Sequence, residues 1–433
     1  MPVNSAPAPH LPEKPHVFPG PRDWQDYQNQ TAVVLGDQTP PDSHDERWRY
    51  TRAQDFLPPV STEEASEPRR RTALDRAFFS DETLVMTPGS LDTPRKRQAC
   101  GRRHGLSLWT LEEAWAQHPE LLQPVLSRSP VRDHYFVRWN TAHLGEGYCI
   151  YIPRERPPDR PLELLWQDAN PVTVRRLILV LESGARLDLV ESETGLRSGL
   201  RNVVREIDLH PQAKLRHTLL DSLGEHEIWL WTTGVCIHER AAYHARAVHA
   251  GNHRARHELR IALQGAEARA TLNFASLLVP RYVFDLQTEI LHRADATESR
   301  QIVHAAAAGH ARAVYGGTVV VEAGTHEALA HQQSRGLLLE RGAEVDTRPE
   351  LRIHSDDVRC THGASIGELD PDILFYLQSR GVDPARARAL LLQAFASQAL
   401  DESNTRTGDA PLSPPITAQL LTLVRRLVPR MPE

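Results

Sequence analysis

Apolar and polar residues alternate with a period of two over much of the middle of the chain, between residues 136 and 362. The alternation is clearest in three stretches, at residues 177–181, 259–263 and 268–274. Successive side chains of a strand point to opposite faces, so this pattern is typical of strands with one buried face. We therefore predict a core of short β-strands over residues 136–362.

Turns between the predicted strands first recur at a fixed step and then become irregular. The first four turns begin near residues 184, 211, 238 and 265, a step of about 27 residues, whereas the turns at Gly309, Gly324 and Gly342 depart from it. A unit of this size cannot bury its own apolar face and must stack on its neighbours, which favours a β-solenoid. A β-sandwich, which also consists of short strands joined by turns, is the alternative.

Less regular patterns precede this core. Residues 1–22 are rich in proline and are predicted to be a disordered arm. Residues 23–135 are predicted to be mainly helical and irregular, and the apolar spacing between residues 106 and 122 predicts one short helix there.

The C-terminal region, residues 363–433, is predicted to be a helical domain. A helix over residues 371–379 should end at Gly381, because glycine readily adopts the left-handed conformation that follows a helix. A second helix should begin after Asp383, which is a good N-cap, and run to about Leu400. The pattern further predicts a linker at residues 408–415 and an amphipathic helix at residues 416–428. A small helical domain of this kind suits docking of a partner protein.

The composition is that of a globular protein and excludes several classes of function. The chain has 433 residues, of which 40% are hydrophobic and 24% charged, with a net charge of −6. This charge gives no basic field that would attract nucleic acid or an anionic membrane, and no apolar run approaches the ~18 residues of a membrane span. We expect a soluble, cytoplasmic protein without a signal peptide that binds neither nucleic acid nor membrane.

The positions of the lysines and cysteines exclude further kinds of site. Only three of the 50 basic residues are lysines, and none of them, Lys14, Lys96 or Lys214, follows a glycine. A P-loop requires Gly-Lys, so the chain carries no P-loop of its own. The four cysteines form no Cys-x-x-Cys pair, which argues against an in-chain zinc ribbon, a ferredoxin-type cluster or a disulfide scaffold.

Cys360 and His362, in the sequence Asp-Asp-Val-Arg-Cys-Thr-His-Gly, are the candidate metal ligands. In an extended segment, residues i and i+2 point to the same face, and thiolate sulfur and imidazole nitrogen suit iron, zinc or copper. Two ligands do not complete a tetrahedral site, so other residues or a second protein would supply the rest. On the pattern alone, a buried structural cysteine beside a hydrogen-bonded histidine is the simpler interpretation.

A cluster of histidines between residues 238 and 257 raises a second metal hypothesis. Its members are His238, His244, His249, His253 and His257. Three of them are four residues apart, which suits a helix, whereas the surrounding pattern predicts strands and turns. We therefore expect exposed turn residues here rather than ligands.

A carbohydrate-active enzyme is a further alternative. A glycosidase needs two carboxylates at a defined separation, and the candidates are Glu350, Asp356, Asp357 and Glu368. The sequence does not determine their spacing, and aromatic residues that would bind a sugar are few in the strand region.

Residues 356–370, with the sequence DDVRCTHGASIGELD, and residues 374–382, LFYLQSRGV, closely resemble the signature of the SufB/SufD family of iron–sulfur cluster assembly proteins, in its SufD form. Weaker elements occur in the family's order. They are W-R-Y-T at residues 48–51, N-T-A at 140–142, Y-I-P at 151–153, G-L-L-L at 336–339 and P-E-L-R-I at 349–353. The resemblance covers about residues 47–400, and His304 stands where the family usually has lysine or arginine.

The resemblance implies a fold, partners and a site. It implies a right-handed parallel β-helix flanked by N-terminal and C-terminal helical regions. It also implies a SufB-like partner bound through the β-helix and a SufC-like ATPase bound through the C-terminal helices. The histidine of the C-x-H-G motif would contribute to cluster formation between the subunits, which assigns this role to His362, with Cys360 as its neighbour.

The function that follows is a non-catalytic scaffold subunit that helps to build and transfer nascent clusters. No cofactor would be held stably by this chain, although iron or a cluster would pass through the subunit interface. The alternatives are a stand-alone homodimeric β-helix binding protein and the carbohydrate-active enzyme with paired carboxylates.

Overall fold

The computed structural model describes eight parts of the chain. They are residues 23–57, 83–86, 93–154, 161–167, 171–194, 198–222, 226–251 and 254–400. The predicted arm at residues 1–22, the linker at 408–415 and the helix at 416–428 lie outside the described residues.

Eighteen strands form the body of the described structure, most of them about ten residues long. They are β1 (Thr83–Met86), β2 (Ser107–Thr110), β3 (Glu146–Ile152), β4 (Leu162–Gln167), β5 (Val172–Leu181), β6 (Arg186–Thr194), β7 (Ser198–Leu209), β8 (Lys214–Ser222), β9 (His226–Ile237), β10 (Ala242–Gly251), β11 (Arg254–Leu263), β12 (Arg269–Leu278), β13 (Val283–His292), β14 (Glu298–Ala307), β15 (Arg312–Val321), β16 (Ala328–Leu338), β17 (Glu344–Ile353) and β18 (Val358–Glu368).

These strands form two nine-stranded sheets, and from β3 onward the chain crosses from one to the other after every strand. Sheet 1 has the order β1-β4-β6-β8-β10-β12-β14-β16-β18, and sheet 2 has the order β17-β15-β13-β11-β9-β7-β5-β3-β2. Neighbouring strands are parallel, except that β2 pairs antiparallel with β3. This arrangement is a parallel β-helix and confirms the solenoid prediction over the β-sandwich.

The irregular turn spacing has a simple cause. Along one edge, where the chain passes from sheet 2 to sheet 1, the residues with positive φ recur at nearly even steps. They are Gly184, Gln212, Arg240, Glu267, Ala296 and Glu327. Gly309 and Gly342 belong to turns at the opposite edge, where the chain returns from sheet 1 to sheet 2. The sequence pattern therefore mixed two interleaved series.

The interior between the sheets is filled by apolar side chains from alternate positions of both. Trp229, Trp231, Tyr243, Phe274 and Phe284 are buried there within one continuous cluster of aliphatic and aromatic residues. Burying one such side chain contributes roughly 1.5–3 kcal/mol, so the stacked turns are held together mainly by this shared core.

The N-terminal region contains helices but is less helical than predicted. Its helices are α1 (Trp24–Gly36), α2 (Pro94–His104), α3 (Leu111–Gln117), α4 (Pro119–Arg128) and α5 (Tyr135–Ala142). The single helix predicted at residues 106–122 is wrong, because β2, α3 and the start of α4 occupy this stretch. The Thr110 hydroxyl caps α3 by accepting from the Glu113 backbone N–H, which ends the strand and starts the helix.

The C-terminal helices lie where the local signals place them. They are α6 (Pro371–Ser379) and α7 (Pro384–Leu400). Asp370 caps α6, Gly381 adopts a positive φ after it, and the Asp383 carboxylate accepts from two backbone N–H groups at the start of α7. The strand region runs on to Glu368, so the helices begin later than the predicted boundary at residue 363.

Each sheet has an outer face that is covered only in part. Helix α7 packs on sheet 1, where Leu392, Ala396 and Ala399 meet apolar residues of the strands. Trp48 and Phe56 of the N-terminal segment lie against sheet 2 around Leu230 of β9. The last turn, made by β17 and β18, is the part of the solenoid that the described residues leave most exposed.

No helix within the described ranges is both long and apolar enough to cross a membrane.

Candidate functional site

Cys360 and His362 lie on β18, the outermost strand of sheet 1. They are two residues apart on a continuous strand, so their side chains point to the same face. In the ladder, Cys360 pairs with Ala330 of β16 and His362 pairs with Gln332. The expectation of an extended segment with both candidate ligands on one face is confirmed.

The two side chains differ in exposure. Cys360 is half-buried and packs against a small apolar cluster that includes Val319, Ala330 and Leu351. Burial raises the pKa of the Cys360 thiol, and the backbone of Ala330 opposes that shift. His362 is exposed, and a Cβ placed on the following Gly363 would meet no atom within 4 Å. The imidazole is therefore accessible, whereas the thiol is partly sheltered.

The site lies at an open end of the solenoid. β17 and β18 are the terminal strands of their sheets, so each has one edge without a neighbour among the described strands. Pro349 lies within β17, and proline is tolerated in a strand mainly at an edge, where its missing N–H costs no ladder bond. Ile366 of β18 is 48% exposed although it faces the same side as His362. The inward faces of the last turn thus meet solvent.

Behind His362, the solenoid interior contains a group of polar residues that the sequence reasoning missed. Gln332 Nε2 donates to the Tyr315 hydroxyl at 2.8 Å, and Tyr315 donates to Gln301 Oε1 at 3.3 Å. The Thr288 hydroxyl also donates to Gln301 Oε1, at 2.7 Å. The available signal was a glutamine at an inward position of each of two successive sheet 1 strands, but it becomes readable only when the ladder register is known.

The histidine cluster is not the exposed group that was expected. His249 and His257 are buried inside the solenoid, with ring centroids 5.9 Å apart, because β10 and β11 belong to opposite sheets and both residues face inward. His238 is partly exposed and its Nε2 lies 2.8 Å from Asp208 Oδ1, while His253 lies outside the described residues. Burial lowers the pKa of His257 well below its usual value, so this ring is neutral.

The candidate carboxylates of a glycosidase differ in their surroundings. Glu350 accepts from Arg352 at 2.8 Å and from Thr318 at 3.3 Å. The Arg352 hydrogen bond lowers the pKa of Glu350, which is opposite to what a general acid requires. Asp356, Asp357 and Glu368 are exposed at the surface.

Across the described parts of the chain, no group of three or more His, Cys, Asp or Glu side chains is placed to hold a metal ion.

The W-R-Y-T element fastens the N-terminal segment to sheet 2. The Arg256 guanidinium of β11 lies over the Trp48 ring, 3.8 Å from its centroid. The Thr51 hydroxyl donates to Asp285 Oδ2 at 2.6 Å, and the same Arg256 bonds both Thr51 and Asp285. Within the described structure, this element therefore has an architectural role.

Comparison with known proteins assigns the family. Residues 164–395 match the family model described as SUF system FeS cluster assembly, SufBD core domain. An iron–sulfur cluster assembly SufBD family protein of Synechocystis is 27% identical over 389 residues, which cover 86% of this chain and 85% of that protein.

Two proteins named SufD show more limited similarity. The iron–sulfur cluster assembly protein SufD of Escherichia coli is 33% identical over 143 residues, 33% of this chain and 34% of its own length. SufD of Bacillus subtilis is 24% identical over 309 residues, 66% of this chain and 67% of its own length. Because the family model spans more than half of the chain, this protein belongs to the SufBD family of iron–sulfur cluster assembly proteins.

Proposed function

We propose that this chain is a SufD-like, non-catalytic scaffold subunit of a cytoplasmic iron–sulfur assembly complex. The observation that carries the proposal is the placement of His362 and Cys360 on one face of an edge strand at the open end of the solenoid. An exposed imidazole beside a partly sheltered thiol leaves coordination positions for ligands from a second chain. Iron and sulfide are cargo at this site, and no cofactor is held there stably.

The open end also supports pairing with a SufB-like β-helix. An uncovered edge strand presents unpaired backbone N–H and C=O groups, which are a template for a strand of another chain. Among the described strands, neither terminal strand has an outer neighbour, and each is ten or eleven residues long. A partner that pairs with both edges would place its own side chains next to His362 and shield the nascent cluster from solvent.

The C-terminal helices support binding of a SufC-like ATPase. Helix α6 exposes a patch formed by Ile373, Phe375 and Tyr376, which are 46%, 72% and 56% exposed. Contiguous exposed apolar residues mark interaction surfaces. Because the sequence contains no P-loop, ATP hydrolysis is assigned to this partner, and α7 links the patch to sheet 1.

The first experiment is native mass spectrometry of the tagged chain recovered anaerobically from its own cells. We expect a complex with one β-helical subunit and two copies of an ATPase. Recovery of a homodimer alone would support the stand-alone binding protein instead.

The second experiment tests the site within the recovered complex. His362→Ala should lower the yield of reconstituted cluster while the circular dichroism spectrum and the complex mass stay unchanged. His331→Ala is the matched control, because His331 is a partly exposed histidine on the adjacent strand, faces the opposite side and bonds Thr361 at 2.9 Å. Equal cluster yields from both variants would exclude His362 from the site.

A further inference from the structure

The polar residues behind His362 form a continuous series that follows the ladder. Gln301 of β14 pairs with Gln332 of β16, and Gln332 pairs with His362 of β18. Paired residues of parallel strands point to the same face and lie one strand spacing apart, about 4.8 Å. Gln332 is therefore the inner neighbour of His362, and its side chain is fully buried.

The hydrogen bonds of this series are donated inward, from Gln332 to Tyr315 and from Tyr315 to Gln301. Gln301 Oε1 accepts from both Thr288 and Tyr315, so the single proton of the Tyr315 hydroxyl is committed to Gln301. Tyr315 in turn accepts from Gln332, whose NH₂ group points toward sheet 2. The opposite amide orientation would place two acceptors, the Gln332 oxygen and the Tyr315 oxygen, against each other.

Gly317 of β15 makes room for this arrangement. A Cβ at position 317 would collide with Gln332 Nε2 and with the Tyr315 hydroxyl. The amide thus lies directly against the backbone of sheet 2 and has little freedom to turn.

The series ends in an unused acceptor. Gln332 Oε1 is buried and has no hydrogen-bond partner among the described residues. A buried acceptor left without a partner costs about 1–3 kcal/mol, so Gln332 Oε1 would be stabilised by a donor at its outer side. On the next strand toward the open end of the solenoid, the residue paired with Gln332 is His362.

We propose that Gln332 is a positioning residue for His362 and that its Oε1 accepts the N–H of the imidazole nitrogen that does not face iron. This inference rests on the proposed function, because it adds a second residue to the same site. A histidine that ligates a metal usually donates its other N–H to an acceptor, which fixes the tautomer and the ring orientation. Thr288, Gln301 and Tyr315 hold that acceptor in place.

The test is the Fe(II) affinity of the recovered complex, measured anaerobically by competition with a chelator. Gln332→Met and Gln332→Glu both keep the length of the side chain and remove the N–H group that donates to Tyr315. Only glutamate keeps an oxygen acceptor. We expect Gln332→Met to weaken Fe(II) binding about 10–100-fold and Gln332→Glu to restore most of it. Gln333→Met, the adjacent glutamine on the opposite face of β16, should change nothing.

The outcomes separate this inference from the proposed function. If His362→Ala weakens Fe(II) binding but Gln332→Met does not, the positioning role is wrong and the site remains. Equal losses in Gln332→Met and Gln332→Glu would show a purely structural role and overturn the inference. Unchanged binding in His362→Ala would overturn both proposals. If Gln332→Met fails to fold, Tyr315→Phe serves in its place, since it removes the hydroxyl that orients the amide and should also weaken binding.

Discussion

His304 of β14 and Phe395 of α7 are joined by two contacts. Their rings are stacked with centroids 4.7 Å apart, and His304 Nδ1 lies 2.8 Å from the Phe395 carbonyl oxygen. A carbonyl oxygen can only accept, so Nδ1 carries the proton. Burial lowers the pKa of His304, although the hydrogen bond to Phe395 opposes that shift. These contacts stabilise the packing of α7 on sheet 1 of the solenoid.

Removing the hydrogen bond while keeping a ring should loosen α7. His304→Phe removes the side-chain donor to the Phe395 carbonyl, at a cost of about 0.5–1.5 kcal/mol, and His304→Ala should cost more because the stacking is lost as well. Hydrogen exchange should therefore speed up in residues 384–400 and not in the strands. Arg335→Ala is the control, because its contact with Gln398 is exposed. Equal exchange rates in all three variants would show that the pair does not hold the helix.

The exposed patch on α6 should be needed for binding of the ATPase. Phe375→Asp introduces a charge at an apolar side chain that is 72% exposed, so folding should be preserved and co-purification of the ATPase should be lost. Val33→Asp on α1 is matched in exposure, at 71%, and should not affect the complex. Retention of the ATPase by the Phe375 variant would place its docking surface elsewhere.

The buried charges beneath the W-R-Y-T element should be sensitive to substitution. Asp285 is completely buried between Arg256 and Thr51. The Arg256 guanidinium binds the carboxylates of Asp285 and Glu258, so Asp285→Ala leaves it only that of Glu258. Breaking a buried ion pair costs about 3–5 kcal/mol, which denaturant unfolding would detect. Arg293→Ala breaks the exposed pair with Glu322 and should shift the midpoint little. Similar shifts in both would contradict the assigned burial.

The stability of the chain should fall as the solution becomes acidic, partly because of His292. Its imidazole is buried between the Thr297 and Ser299 hydroxyls, and burial lowers its pKa to about 4. The unfolded chain binds this proton at a pKa near 6.5, so between pH 6.5 and pH 4 the unfolded state holds more protons and the folded state loses stability. The loss from this one residue is about 3 kcal/mol. His257 contributes with the same sign.

His292→Gln should reduce this pH dependence. The free energy of unfolding, measured by denaturant titration from pH 8 to pH 4, should fall less steeply than in the unaltered chain. The value at pH 8 reports any cost of the substitution itself, because His292 is neutral in both states there. Parallel curves for the two proteins would show that His292 does not titrate on unfolding.

Local sequence signals determined part of the fold. The alternation at residues 259–263 correctly predicted β11, and the Asp383 cap and Gly381 correctly marked the ends of the C-terminal helices. These features depend on neighbours in the chain. The strand β2 was missed because its four residues are stabilised by β3, which lies some forty residues away.

The residues of the candidate site also fall into those that local sequence signals predicted and those that they did not. Cys360 and His362 were identified by residue type, motif and spacing, and the structure places them on one face. Gln332 and Tyr315 could not be found, because their proximity to His362 depends on which residue of one turn lies over which residue of the next. For the same reason, His249 and His257 were expected in turns although both point into the core.

The bonds from Thr51 have a consequence for the order in which the molecule assembles. Neighbouring turns of the solenoid lie close in sequence, so the ladder can grow turn by turn with small loop-closure costs. Thr51, in contrast, is 205 residues from Arg256 and 234 residues from Asp285. On the ribosome, the bond from Thr51 to Asp285 cannot form until β13 has been synthesised and has joined the growing sheet. The N-terminal segment is thus synthesised before the strands that it binds. Its full set of contacts can form only after more than half of the solenoid has folded.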